Sequence, residues 1–160
     1  VTEYYQTYQT LVNNRSVAGV DIDLAMVNQP DFMTLTKQMR ANEIRLIASQ
    51  TVTTATTDDL LATYHELAAT GADVVRVTVA GHEAQTVLAL RAATAQARQQ
   101  LVVPIVATAM GKFGRYNSVC SQLTGSAVAF GHVGRVGDQS QLAVSQVKQA
   151  LQMLAPLEGA

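Results

Sequence analysis

A single cation stands in an otherwise apolar run. Val74-Val75-Arg76-Val77-Thr78-Val79 reads as a buried parallel strand that carries one charged side chain, Arg76, towards its carboxyl end. A guanidinium keeps its charge at any working pH and is a poor nucleophile. Its chemistry is therefore grip, either a bidentate hold on a carboxylate or phosphate or an ion pair with a neighbouring acid. Side chains able to attack or to move protons follow other strand ends: Lys112, His82 and His132. Lys112 with His132 would supply an amine and an imidazole if the fold brought them together, and each alone reads as a solvated loop residue. His65 falls in mid-helix, at the surface or boundary. Gly131-His132-Val133-Gly134 with Gly137 has weak phosphate-cradle character and no Walker-type lysine, so it reads as a loop. Cys120 is expected inside a short helix, buried and inert.

Elements of regular spacing must position these groups. Short runs rich in Val, Ile and Ala recur at 20–24, 44–49, 74–79, 102–109 and 127–130, as strands buried on both faces do. Stretches of helical period lie between them. Residues 2–12 place Tyr5, Tyr8, Leu11 and Val12 on one side, and 31–39 follow Pro30 with Asp31 as the expected cap. The clearest helix starts at Thr56 or Thr57, with Asp58 and Asp59 at its positive end. It lines up Leu60, Leu61, Tyr64, Leu67 and Ala68 and stops at Gly71 in the left-handed conformation. Further helices are predicted at 83–99 (Val87, Leu88, Leu90 and Ala95 inward), 116–123 and 141–154, the last stopped by Pro156. Met26, Met33, Met39 and Met153 read as core filler. This alternation predicts right-handed βαβ units and a parallel sheet in one domain, 1–160.

Composition narrows the partners. Only 14% of the 160 residues are charged, against roughly 25% in typical soluble domains. The net charge of -1 and three scattered lysines (Lys37, Lys112, Lys148) leave no basic patch for nucleic acid. No apolar run approaches the roughly 18 residues that span a bilayer, and no signal-peptide pattern opens the chain. One cysteine excludes an internal disulfide and a Cys-based zinc cluster, so a reducing cytoplasm is the expected location.

Three stretches are more specific. They are Leu67-Ala68-Ala69-Thr70-Gly71-Ala72-Asp73-Val74-Val75-Arg76, Pro104-Ile105-Val106-Ala107-Thr108-Ala109-Met110-Gly111-Lys112-Phe113-Gly114 and Gly125-Ser126-Ala127-Val128-Ala129-Phe130-Gly131. Together they resemble the type I 3-dehydroquinate dehydratases, over about residues 20–154. The resemblance implies an α/β fold of (β/α)8 TIM-barrel type, with the site at the carboxyl ends of the strands. That fold takes about 250 residues and eight strands. With five strands counted, the expectation is a degenerate member that keeps the C-terminal five and lacks the first three. It would be a fragment of a longer protein or, alternatively, a sheet whose two open edges a partner chain completes.

The same resemblance assigns roles. The family dehydrates its substrate covalently: a lysine amine attacks the ketone, and a histidine oriented by a carboxylate moves protons. Arg76 stands in the lysine's place, Thr51 in the histidine's and Asp23 in the carboxylate's. Ser118 replaces a substrate-gripping arginine, with Arg115 nearly one turn earlier; Gly137 replaces a serine, and Gln141 keeps the family glutamine. Arginine forms no Schiff base and threonine does not titrate near neutrality. Without a histidine to orient, Asp23 is expected to pair with Arg76 or to end its strand in solvent. The expectation is a pseudoenzyme of a shikimate-pathway family, needing no cofactor or metal. It would bind a small cyclic carboxylate through Arg76, Gln141, Ser118 and Gly137, or bind a partner. Two alternatives stand beside it: an active 3-dehydroquinate dehydratase or related lyase using relocated Lys112 and His132, and an interaction module forming a homo-oligomer, a dimer.

Overall fold

The computed structural model describes residues 2–27, 29–53, 55–134 and 141–155. Helix α1 (Thr2–Asn13) leads into β1 (Gly19–Asp23), the short α2 (Leu24–Val27) and α3 (Pro30–Ala41). Then follow β2 (Arg45–Val52), α4 (Thr57–Ala69), β3 (Val74–Ala80), α5 (Ala84–Gln100) and β4 (Ile105–Met110). Helices α6 (Gly114–Val119), α7 (Ser121–Thr124) and α8 (Val144–Leu154) complete the described elements. All four strands are parallel, in the order β1-β2-β3-β4.

The fifth expected strand, 127–130, is not a strand, and the cause is a serine. Ser126 Oγ accepts the Ala107 N–H (3.1 Å) where a ladder carbonyl would, and it donates to the Val128 carbonyl (3.1 Å). Only the Ala127 N–H reaches β4, at the Ile105 carbonyl (2.7 Å). The segment therefore runs beside β4 without forming a ladder. Beyond it, 131–133 lies against 142–144 through His132 N–H to Leu142 O (2.9 Å) and Val144 N–H to His132 O (3.1 Å). Gly131 permits this approach, because a Cβ there would sit 2.9 Å from the Val144 Cα.

Helix starts follow local chemistry. Pro30 takes the first position of α3, where its missing N–H costs nothing, so Gln29 occupies the cap position and Asp31 is a first-turn acid rather than the expected cap. Helix α4 opens on a full capping box. Thr56 Oγ1 accepts the Asp59 N–H (3.2 Å), and Asp59 Oδ2 accepts the Thr56 N–H (2.9 Å). Gly71 follows α4 at φ 76, the left-handed stop expected of it. Met33 and Leu88 were expected inside but are exposed, since each sits off the buried stripe of its helix. Met153 is exposed too, on a helix that buries only Val147 among its described residues. Cys120 falls between α6 and α7, half-buried. Gly137 and Pro156 lie outside the described residues.

The core lies on one side of the sheet. Val20 and Ile22, Leu46 and Ala48, Val75, Val77 and Val79, and Ile105, Ala107 and Ala109 join Leu35, Leu60, Tyr64, Leu67 and Leu90 in one cluster. A buried hydrogen-bond chain threads it. Thr94 Oγ1 spends its hydrogen on the Leu90 carbonyl (2.7 Å), so the Tyr64 phenol must donate to Thr94 (3.0 Å). Burial raises the Tyr64 phenol above the ordinary tyrosine range, and the Thr94 bond offsets part of the rise.

The asymmetry of that chain gives one prediction. Tyr64→Phe leaves an acceptor unmet and should cost about 1 kcal/mol, whereas Thr94→Val strands a buried phenolic donor and should cost more, about 1–3 kcal/mol. Urea unfolding of both variants checks the order. A second concerns Asp59, whose carboxyl is held below the ordinary aspartate value by the Thr56 N–H first and the Thr56 hydroxyl second. A depressed folded pKa stabilises above the unfolded value, and that gain is lost as pH falls through the folded one. Asp59→Asn should therefore lower Tm at neutral pH, with the gap to the parent closing as pH falls below 3.8. A gap that persists in acid would mean the carboxylate charge contributes nothing.

Candidate functional site

Successive side chains of a strand face opposite ways, so the residues between the core positions gather on the face without helices. Register sets them in rows. Asp23, Ser49, Arg76 and Val106 stand level across the four strands. One step towards the amino ends lie Asp21, Ile47 and Val74, and one step towards the carboxyl ends lie Thr51, Thr78 and Thr108. Val106 is buried, yet it lies outside the helix-side cluster.

Arg76 reaches down and across β2 to Asp21, with Nη2 2.8 Å from Oδ2. The side chains are 34% and 30% exposed, so solvent screens the pair and it contributes about 1 kcal/mol at most. The pair is not saturated. Arg76 Nε and Asp21 Oδ1 are both buried without a hydrogen-bond partner among the described residues. Asp23, one of the two expected outcomes for which was pairing with Arg76, meets the other: it is exposed and accepts the Ala25 N–H (2.9 Å), turning the chain into α2.

The remaining expected residues separate into two groups. Thr51 shares the polar face, one row beyond Arg76. Ser118 and Gln141 meet at a cavity of about 20 Å3 beside β4, room for about one water, with Thr108, Asn117 and Phe130. Buried Asn117 fixes that wall by donating to the Ala107 carbonyl (2.8 Å). Thr108 Oγ1 is buried there without a partner among the described residues. Lys112 is exposed and its ammonium rests 4.9 Å from the Phe113 ring centroid. His132 is half-buried, with Nδ1 unpartnered among the described residues, and neither it nor Lys112 lines the cavity that holds Ser118 and Gln141. Exposed His82 lies against Gly111, where a Cβ would be 3.0 Å from its Nδ1.

Sequence reasoning missed Asp21, Thr78 and Thr108. Alternation alone places Asp21 with Asp23 and Thr78 with Arg76, so their shared face was legible. Which carboxylate meets the guanidinium depends on the stagger of non-adjacent strands, and that is not. Among the described residues, no cluster of three or more His, Cys, Asp or Glu forms a metal site. Among the described residues, too, no helix is long and apolar enough to cross a membrane.

Comparison with known proteins bears on this arrangement. A 3-dehydroquinate dehydratase of Geobacillus thermodenitrificans is 30% identical over 158 residues, covering 95% of this chain and 59% of that protein. The crystal structure of 3-dehydroquinate dehydratase from Geobacillus kaustophilus superposes with a TM-score of 0.87 at 25% identity, covering 96% of this chain and 60% of that one. That from Enterococcus faecalis gives a TM-score of 0.83 at 26% identity, with 96% and 61% covered. The chain thus spans about 60% of the length of these relatives. The expected degenerate remnant, limited to five C-terminal strands and lacking the first three, is corrected. The TIM-barrel-like α/β match takes in α1 and nearly the whole chain, and nothing in it singles out three missing strands. The reason lies in the first helix: the resemblance was traced only from about residue 20, whereas α1 matches as well. Over residues 1–158 the chain matches the family model of the type I 3-dehydroquinases, and it belongs to that family.

Proposed function

We propose that the polar sheet face binds a small cyclic carboxylate of the 3-dehydroquinate type, within the shikimate-pathway chemistry of the family, and that Arg76 grips the carboxylate. The observation that carries this reading is the Arg76–Asp21 pair at 2.8 Å with Arg76 Nε still unpartnered. A solvent-screened pair yields readily to an incoming carboxylate, since the guanidinium fork suits a bidentate anion. Thr51, Ser118 and Gln141 are the further polar contacts of this reading, and Gly137 belongs to the same proposal.

Two readings of the chemistry follow. In one, the chain dehydrates 3-dehydroquinate, as the names of its curated relatives favour. The nucleophile and proton carrier are then Lys112 and His132, moved together on binding. In the other, the chain binds without reacting. The fixed charge of Arg76 and the placement of Lys112 over Phe113 favour that reading. The homo-oligomeric module has less support, because side chains and loop backbone already meet part of each sheet edge. Tyr8 donates to the Asp21 carbonyl (3.2 Å) at the β1 edge, and Ser126 and Ala127 take up β4.

Borohydride trapping with 3-dehydroquinate, read by mass spectrometry, separates the two chemistries. The geometry predicts no adduct on the parent chain and about tenfold or greater loss of binding in Arg76→Ala, measured by calorimetry. An adduct on Lys112 would establish the dehydratase reading instead, and undiminished binding by Arg76→Ala would remove Arg76 from the site.

A further inference from the structure

Between α5 and α6 runs a groove of about 220 Å3 with an almost wholly apolar lining. Ala84, Val87, Leu88 and Arg91 form one wall, at the spacing that shares a helix face. Phe113 and Tyr116 form the other, their ring centroids 6.2 Å apart and their planes tilted by 41°. Val87 is buried, whereas Leu88 is 55% and Tyr116 60% exposed. Backbone bonds tie the walls together: the Phe113 N–H donates to the Gly81 carbonyl (3.2 Å), in the loop that leads into α5. The groove is therefore formed before anything enters it.

One end of the groove is cationic. Arg91 is half-buried, and its guanidinium has no hydrogen bond, ion pair or ring contact among the described residues. Lys112 adds positive charge beside the opposite wall, its ammonium 4.9 Å from the Phe113 ring centroid. Among the described residues no acid lines the groove. A guanidinium held against apolar side chains is best matched by an anion that it can grip bidentately. Size limits what carries that anion. Pockets for drug-sized ligands begin near about 300 Å3, so this one takes a single ring rather than a fused system or a helix. From Ala84 to Arg91 the wall runs about 10 Å, the length of a benzene ring bearing a short chain and a carboxylate.

We propose that the groove between α5 and α6 binds a monocyclic aromatic acid, with its ring between Leu88 and the Phe113–Tyr116 pair and its carboxylate on Arg91. Aromatic rings at an open tilt accept a third ring edge-on or offset, which an aliphatic chain of equal area does not exploit. The groove belongs to the helical layer, and Arg76 belongs to the opposite face of the sheet. This site therefore stands independently of the carboxylate reading of Arg76.

Ligand-observed NMR titration of the full chain with 3-phenylpropionate and with its neutral amide, 3-phenylpropionamide, tests it. The acid should bind with a Kd of about 1 mM or tighter, and the amide about fivefold or more weakly. Arg91→Gln should weaken the acid to the level of the amide while leaving the amide within about twofold. Leu88→Glu, at an exposed position outside the core, should remove binding of both and serves as the second variant should Arg91→Gln fail to fold. Equal binding of acid and amide, or undiminished acid binding by Arg91→Gln, would overturn the proposal. Loss of acid binding in Arg76→Ala would move the acid to the sheet face and overturn it too. If the parent chain binds no acid the proposal falls, and a dimer that Leu88→Glu disperses in sedimentation would then assign the groove to a second copy.

Discussion

In a parallel ladder the side chains of each strand alternate between two faces, and here one face is given over wholly to helices. Val75, Val77 and Val79 of β3, with their level neighbours on β2 and β4, close against α4 and α5. Every intervening residue is thereby sent to the other side. Arg76 is polar-facing because Val75 and Val77 are not, and the same applies to Asp21 between Val20 and Ile22. The apolar core and the polar face are one constraint seen from two sides. Shifting β3 by a single residue would bury a guanidinium among Leu60, Tyr64 and Leu90, at a cost of several kcal/mol.

The edges of this sheet depend on side chains rather than on further strands. Tyr8 hydrogen-bonds the free edge of β1, and Tyr4 packs edge-on against Tyr8 and Tyr5. Burial first, and then its bond to Tyr8, pushes the Tyr4 phenol well above the ordinary range. The Asp21 carbonyl that Tyr8 holds belongs to the residue that pairs with Arg76, so α1 steadies the backbone beneath the ion pair. On the other edge, the hydroxyl of Ser126 stands in for a ladder carbonyl. Both devices satisfy some edge groups without extending the ladder.

Much of the fold was legible in the residues. Four strands, the Thr56 cap, the Gly71 stop and the buried stripe of α4 follow from period, capping chemistry and the conformational freedom of glycine. The fifth strand was misread because Ala127-Val128-Ala129-Phe130 has a strand's composition, whereas a ladder depends on which backbone groups find partners. Met33 and Leu88 were misplaced for a related reason. An apolar side chain one position off a helical stripe is rotated about 100° from the core, which composition cannot register.

By itself the sequence determined that a lone arginine would stand on a buried β-strand and that the surrounding segments resemble type I 3-dehydroquinases. Local period and residue chemistry suffice for that. Only the tertiary structure decided that Arg76 meets Asp21 and not Asp23, that Lys112 rests on Phe113, and that three threonines form one row. Those outcomes depend on the stagger of strands distant in sequence. Stagger is set by how whole side-chain layers interlock, which no local pattern of residues encodes.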